Sequence, residues 1–157
     1  MSIETWEYWS YVVTTVGLPL AIAVFIYEQR KERNNEEEEV YQLLSDNYQD
    51  FLKIALEYPD LRLFSQPGTP QLSDEQRERM FIIFSMLISL FERAYLLQYE
   101  EKMSPQQSRR WLSWEDYMHE WCEREDFRAS LGSLLRGEDP EFVTYILKIA
   151  RLKPLSP

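Results

Sequence analysis

A single histidine, His119, and a single cysteine, Cys122, bound the side-chain chemistry open to this 157-residue chain. His119 stands among Glu115, Asp116, Glu120 and Glu123, and Asp116-x-x-His119 puts two ligand types on one face of a helix. A dinuclear carboxylate centre of that kind needs a second such motif with its own histidine, and the chain has none. The run therefore reads as the polar side of an amphipathic helix, and no metal is expected. Cys122 shares its face with tryptophans, the setting of a buried thiol rather than of an activated thiolate. No nucleophile-elbow motif is present, and four glycines supply neither a phosphate loop nor a dinucleotide fingerprint. The expectation is a protein that is not an enzyme and carries no cofactor.

Two features point to binding instead. Trp111, Trp114, Tyr117 and Trp121 crowd one stretch of sequence; they are either core or a contact surface, since Trp and Tyr are enriched at binding hot spots. Just before them, Gln106-Gln107-Ser108-Arg109-Arg110 offers Arg109 and Arg110 as contacts for an anion or for lipid headgroups. The plainer alternative for that pair is a solvated helix start.

The elements that would hold these residues begin with an apolar segment. Tyr8 to Tyr27 contains no charged residue, and twenty residues at about 1.5 Å each span about 30 Å, the thickness of a bilayer core. Trp6, Tyr8, Trp9 and Tyr11 mark one end, and Phe25 and Tyr27 the other, as expected of rings at a membrane interface. A cleavable signal would place basic residues before the run, whereas here Glu4 and Glu7 precede it and Arg30, Lys31 and Arg33 follow. Positive flanks stay cytoplasmic, which predicts a single-pass anchor in the cytoplasmic (inner) membrane with its N-terminus outside. Pro19 predicts a kink near residues 15–19, and Gly17 with Ala21 forms a small-xxx-small pair that lets another helix approach.

The rest reads as helices joined by short loops, so the expected fold is all-α: a transmembrane helix, then a cytoplasmic bundle of about five helices. Expected boundaries are residues 1–7 outside, 8–27 in the membrane, 28–39 as a charged stalk and 40–157 as the cytoplasmic domain. The stalk has no apolar stripe, and either continues as helix or breaks at Asn34-Asn35. From Val40 a stripe runs through Leu44, Tyr48, Phe51, Ala55 and Tyr58 at helical spacing. Pro59, Pro67, Gly68 and Pro70 make a loop of 59–72, packed by Leu61, Leu63 and Phe64. Tyr48-x-x-Phe51-Leu52 followed by Tyr58-Pro59-Asp60-Leu61, behind an apolar span, resembles small uncharacterised bacterial single-pass membrane proteins with a helical cytoplasmic domain. That resemblance covers about a third of the chain and implies no activity.

Ser73 and Gln76 form a capping box, opening a helix expected to reach Lys102. Met80 to Phe91 is nearly all apolar. At twelve residues it is too short to cross a bilayer and suits the centre of a bundle, with part of it available to a partner if the domain oligomerises. Ser104-Pro105 and Asp139-Pro140 are cap-and-proline starts, and Gly137 is a stop. The intervening helix is expected over about 126–136, and the last face uses Phe142, Ile146 and Ile149.

A net charge of −10 disfavours nonspecific nucleic-acid binding, although a small nucleotide at a local basic patch stays open. The expected partners are the lipid bilayer and another protein, its own copies, or both. Two functions fit: a membrane-anchored module that recruits or scaffolds a partner protein, or an oligomeric sensor-effector whose cytoplasmic domain binds a compact anionic ligand.

Overall fold

Helix-start signals written into the sequence, at Ser73, Ser104 and Asp139, fix where three of the helices begin. In the computed structural model, which describes residues 3–64 and 68–151 and side chains from residue 17 onward, five α-helices and one 3-10 turn follow in order. They are α1 (Ile3–Glu57), the turn Pro59–Leu61, α2 (Asp74–Gln98), α3 (Pro105–Glu123), α4 (Glu125–Leu134) and α5 (Pro140–Ile149). Among the described residues there is no strand, and the fold is all-α.

The chain divides into two compact units, Met1–Val40 and Tyr41–Pro157. In the first, the helical backbone runs through Pro19 and continues past Asn34 and Asn35 without a break. Every residue from 17 to 36 is exposed. The side chains of Trp6, Tyr8, Trp9 and Tyr11 lie outside the described residues.

In the second unit the last turns of α1 bury the predicted stripe. Leu44, Tyr48, Phe51 and Ala55 are all core. Pro59 ends α1 because its ring excludes helical geometry at Tyr58, whose ψ is 64°. Ser73 opens α2 by a reciprocal pair of hydrogen bonds with Gln76 at 2.9 and 3.2 Å. Ser104 and Gln107 repeat the device at α3, at 2.9 and 3.3 Å. Such caps satisfy amides that have no partner within the helix.

α2 packs against α3, α4 and α5, and α3 packs against α4 and α5. One face of α2 is core, with Ile83, Phe84, Leu87, Ile88, Phe91 and Ala94 all at most 2 % exposed. The helix is not buried all round, however. Phe81, Ile82, Met86, Leu96 and Leu97 are 42–57 % exposed on its other side. Among the described residues α2 is the one helix long and apolar enough to cross a membrane, but half of that apolar window is buried inside the bundle. It also ends at Gln98 rather than Lys102, because Tyr99 turns extended (ψ 127°) and stacks its ring 4.8 Å from Tyr95. α4 likewise stops at Leu134, before the turn that Gly137 closes with a φ of 90°.

Candidate functional site

α3 carries the aromatic residues singled out above, and tertiary packing turns most of them inward. Its stripe has helical spacing and meets the other helices of the bundle, leaving Trp111, Trp114 and Trp121 only 2–4 % exposed. Trp114 meets Tyr48 edge-on at 5.8 Å, and Trp121 packs against Phe51, Phe64, Phe84 and Phe127. Tyr117 is half-buried, with its ring stacked 4.3 Å from that of Tyr48. Of the four residues named for a contact surface, Trp111, Trp114 and Trp121 thus take the core alternative, and Tyr117 stays partly exposed. Burial also pushes the Tyr48 hydroxyl up to about 12.

Trp111 belongs to a second cluster with Tyr95, Tyr99 and Tyr145, whose rings lie 4.8–6.1 Å apart. Its indole N–H donates to the Tyr145 hydroxyl at 3.1 Å, and that hydroxyl donates to Glu115 at 2.6 Å. Burial and the adjacent Glu115 carboxylate both raise the Tyr145 phenol, so it stays a donor at any physiological pH. Tyr95, Tyr99 and Tyr145 also line an open groove of about 780 Å³, with Glu101, Glu141 and Lys148 at its rim.

Arg109 and Arg110 do not converge. Arg109 is exposed, whereas the Arg110 guanidinium lies 5.0 Å from the centre of the Tyr41 ring, a cation–π arrangement. His119 is exposed, and among the described residues there is no group of three or more acidic, His or Cys side chains placed to hold a metal ion. Cys122 is buried, and burial pushes its thiol up to about 12. It is therefore a neutral thiol at pH 7, the opposite of what a nucleophile needs.

Sequence reasoning missed three arrangements. Arg124, between Glu123 and Glu125, is only 5 % exposed. It donates to both oxygens of Asp126 (2.8 and 2.6 Å), to the carbonyls of Arg62 and Leu63 (3.1 and 2.7 Å) and to the Thr69 hydroxyl (3.2 Å). Asp126 in turn accepts from the Thr69 and Phe127 amides. A buried arginine thus ties residues 62, 63 and 69 to the start of α4, and those three partners lie more than fifty residues away in sequence, where spacing gives no signal. The second arrangement is a pair of carboxyl groups. Glu92 accepts from the amide of Asp139, the cap of α5, at 2.5 Å, and its hydrogen bond to the Glu138 side chain pushes that carboxyl up to about 7. The third is which side of α2 stays open, since the sequence left part of that helix to a partner without choosing a face.

In the first unit, Leu18, Leu20, Ile22, Val24, Phe25, Ile26 and Tyr27 are 44–69 % exposed. Arg30, Lys31 and Arg33 follow them, also exposed, with Arg33 3.9 Å from Glu37. No protein-family model, curated protein or solved structure matches the chain.

Proposed function

We propose that this protein is a membrane-anchored helical interaction module: the apolar part of α1 sits in the bilayer and the second unit works at the cytoplasmic face, recruiting or scaffolding a protein. The observation behind this reading is the exposure of every residue from 17 to 36, of which residues 18–27 are almost wholly apolar. An apolar helix without a covering surface is strongly unfavourable in water, while a bilayer satisfies it. The cluster Arg30, Lys31 and Arg33 sets the orientation, because basic flanks remain cytoplasmic. Interaction rather than catalysis is favoured by the chemistry present: a neutral buried thiol at Cys122, an exposed lone histidine at His119, and a second unit with open apolar surface. The anion-sensor alternative has less behind it, since Arg110 already lies over Tyr41.

The test is fractionation of the full chain carrying a reporter after Pro157. The protein should stay with membranes through alkaline carbonate, come off only in detergent, and show reporter activity confined to the cytoplasm. Release by carbonate would remove the anchor, and reporter activity outside would reverse the orientation.

A further inference from the structure

One line of residues on the outside of α2 has the composition of an interface that recognises itself. Glu78, Ile82, Ser85, Ser89, Arg93 and Leu96 follow each other at spacings of three and four, which places them on one face of the helix. All are exposed except Ser85, which is partly so. Phe81, Met86 and Leu97 flank the line, each 42–52 % exposed. Large apolar side chains left exposed in groups beside polar residues mark an interaction site.

Charge says what covers it. Of the charged residues on α2, Asp74 pairs with Arg77, and Glu75 with Arg79, while Glu92 holds the Asp139 amide. Only Glu78 and Arg93 have no ion-pair or hydrogen-bond partner among the described residues. They carry opposite charges and lie on either side of Phe81, Ile82 and Met86, about 22 Å apart along the helix. Their midpoint falls between Ser85 and Met86. Laid antiparallel on itself about that point, the face matches Glu78 of each copy with Arg93 of the other. The same register sets Ile82 of each copy opposite Ser89, at the mouth of a groove of about 530 Å³ that Asn47, Ile54 and Met86 help to line. Ser85 and Ser89 at the centre are small enough to let two helices approach closely. The Ser85 hydroxyl already donates to the Phe81 carbonyl at 2.8 Å, so covering it strands no donor.

We propose that the chain pairs with a second copy through this face of α2, antiparallel and two-fold symmetric, with Glu78–Arg93 contacts at both ends. The inference deepens the interaction reading by naming the partner, and it does not depend on the membrane anchor. An isologous interface is self-complementary by construction, which is what one acidic and one basic end around Ile82, Ser85, Met86 and Ser89 provide.

Charge reversal tests it on the full chain in mild detergent, with association followed by sedimentation velocity. Glu78→Arg alone, and Arg93→Glu alone, each place like charges at both ends of the pair and should raise the dimer dissociation constant at least tenfold. Mixing the two variants restores an opposite-charge contact at both ends, so a heterodimer should form with near wild-type affinity. Ile82→Lys should abolish pairing, while thermal unfolding of all three variants stays near wild type because the sites are exposed. A wild-type chain that is monomeric throughout overturns the proposal, yet leaves recruitment of a different protein standing. A wild-type dimer that ignores all three changes, or a mixture that fails to recover, overturns it too and moves self-association to another surface.

Discussion

Replacing Arg124 with alanine removes the one buried charge among the described residues, and the structure allows the cost to be worked through. The guanidinium is 5 % exposed and donates to a carboxylate, two backbone carbonyls and a hydroxyl. Its loss strands the buried Leu63 carbonyl, takes a donor from the part-buried Arg62 carbonyl, and leaves Asp126 without its counter-charge. Breaking a buried pair by deleting one partner costs about 3–5 kcal/mol. The lower end applies, because Asp126 is 19 % exposed and keeps the amides of Thr69 and Phe127. About 3 kcal/mol in a unit of this size corresponds to a fall in Tm of about 12 °C. The assay is thermal unfolding followed by far-UV circular dichroism, with Arg124→Lys and Asp126→Asn alongside. Lysine keeps the charge but cannot span carbonyls and carboxylate together, so it should recover only part of the loss. Asp126→Asn leaves the arginine buried without a counter-charge and should cost at least as much as Arg124→Ala. If Arg124→Ala melts within about 3 °C of wild type, the loop is not held in the way described, and the buried charge is not a clamp.

Three further expectations follow from particular residues. Leu87→Asp puts an unpaired carboxylate at a fully buried site, which costs several kcal/mol; a calorimetric scan should lose the cooperative transition, and an unchanged melt would show that α2 is not the core. Gly137 has a φ of 90° with nothing within 4 Å of an added methyl group, so Gly137→Ala should destabilise by about 1–2 kcal/mol through backbone strain alone, read as a shifted urea midpoint. Glu138 is raised to about 7 by its hydrogen bond to Glu92 and by burial. Because the folded state holds that proton more tightly than the unfolded chain, its contribution is present below about pH 4.5 and is lost as pH rises through about 7. A pH series of melting temperatures should show this decline in the wild type and lose it in Glu138→Gln; an identical decline in the variant would assign it to other groups.

Much of the fold was legible in short stretches of sequence, for a local reason. Ser73 with Gln76, Ser104 before Pro105, and Asp139 before Pro140 satisfy or remove amides within one turn, so they specify helix starts whatever surrounds them. The stripes from Leu44 to Ala55 and from Trp111 to Cys122 likewise needed only helical spacing to mark a face for burial. By itself the sequence therefore determined an all-α chain, its helix starts, its inward stripes and the lack of paired ligands around His119. It did not determine which apolar surface stays open. In α2, apolar residues occupy nearly every direction around the axis, and a periodicity that points everywhere cannot choose a side. Packing against α3, α4 and α5 made that choice, burying Phe84 and Phe91 and leaving Phe81, Ile82 and Met86 outside. Tertiary structure also separated tryptophans that are core from tryptophans that could have been a contact surface, since both uses share composition and spacing. Arg124 is the sharpest case. Flanked by glutamates, it has the local environment of a solvated residue, and only the approach of Arg62, Leu63 and Thr69 to the start of α4 removes water from around it. Burial depends on what the distant chain brings alongside, so it belongs to the tertiary structure and not to the neighbours in sequence.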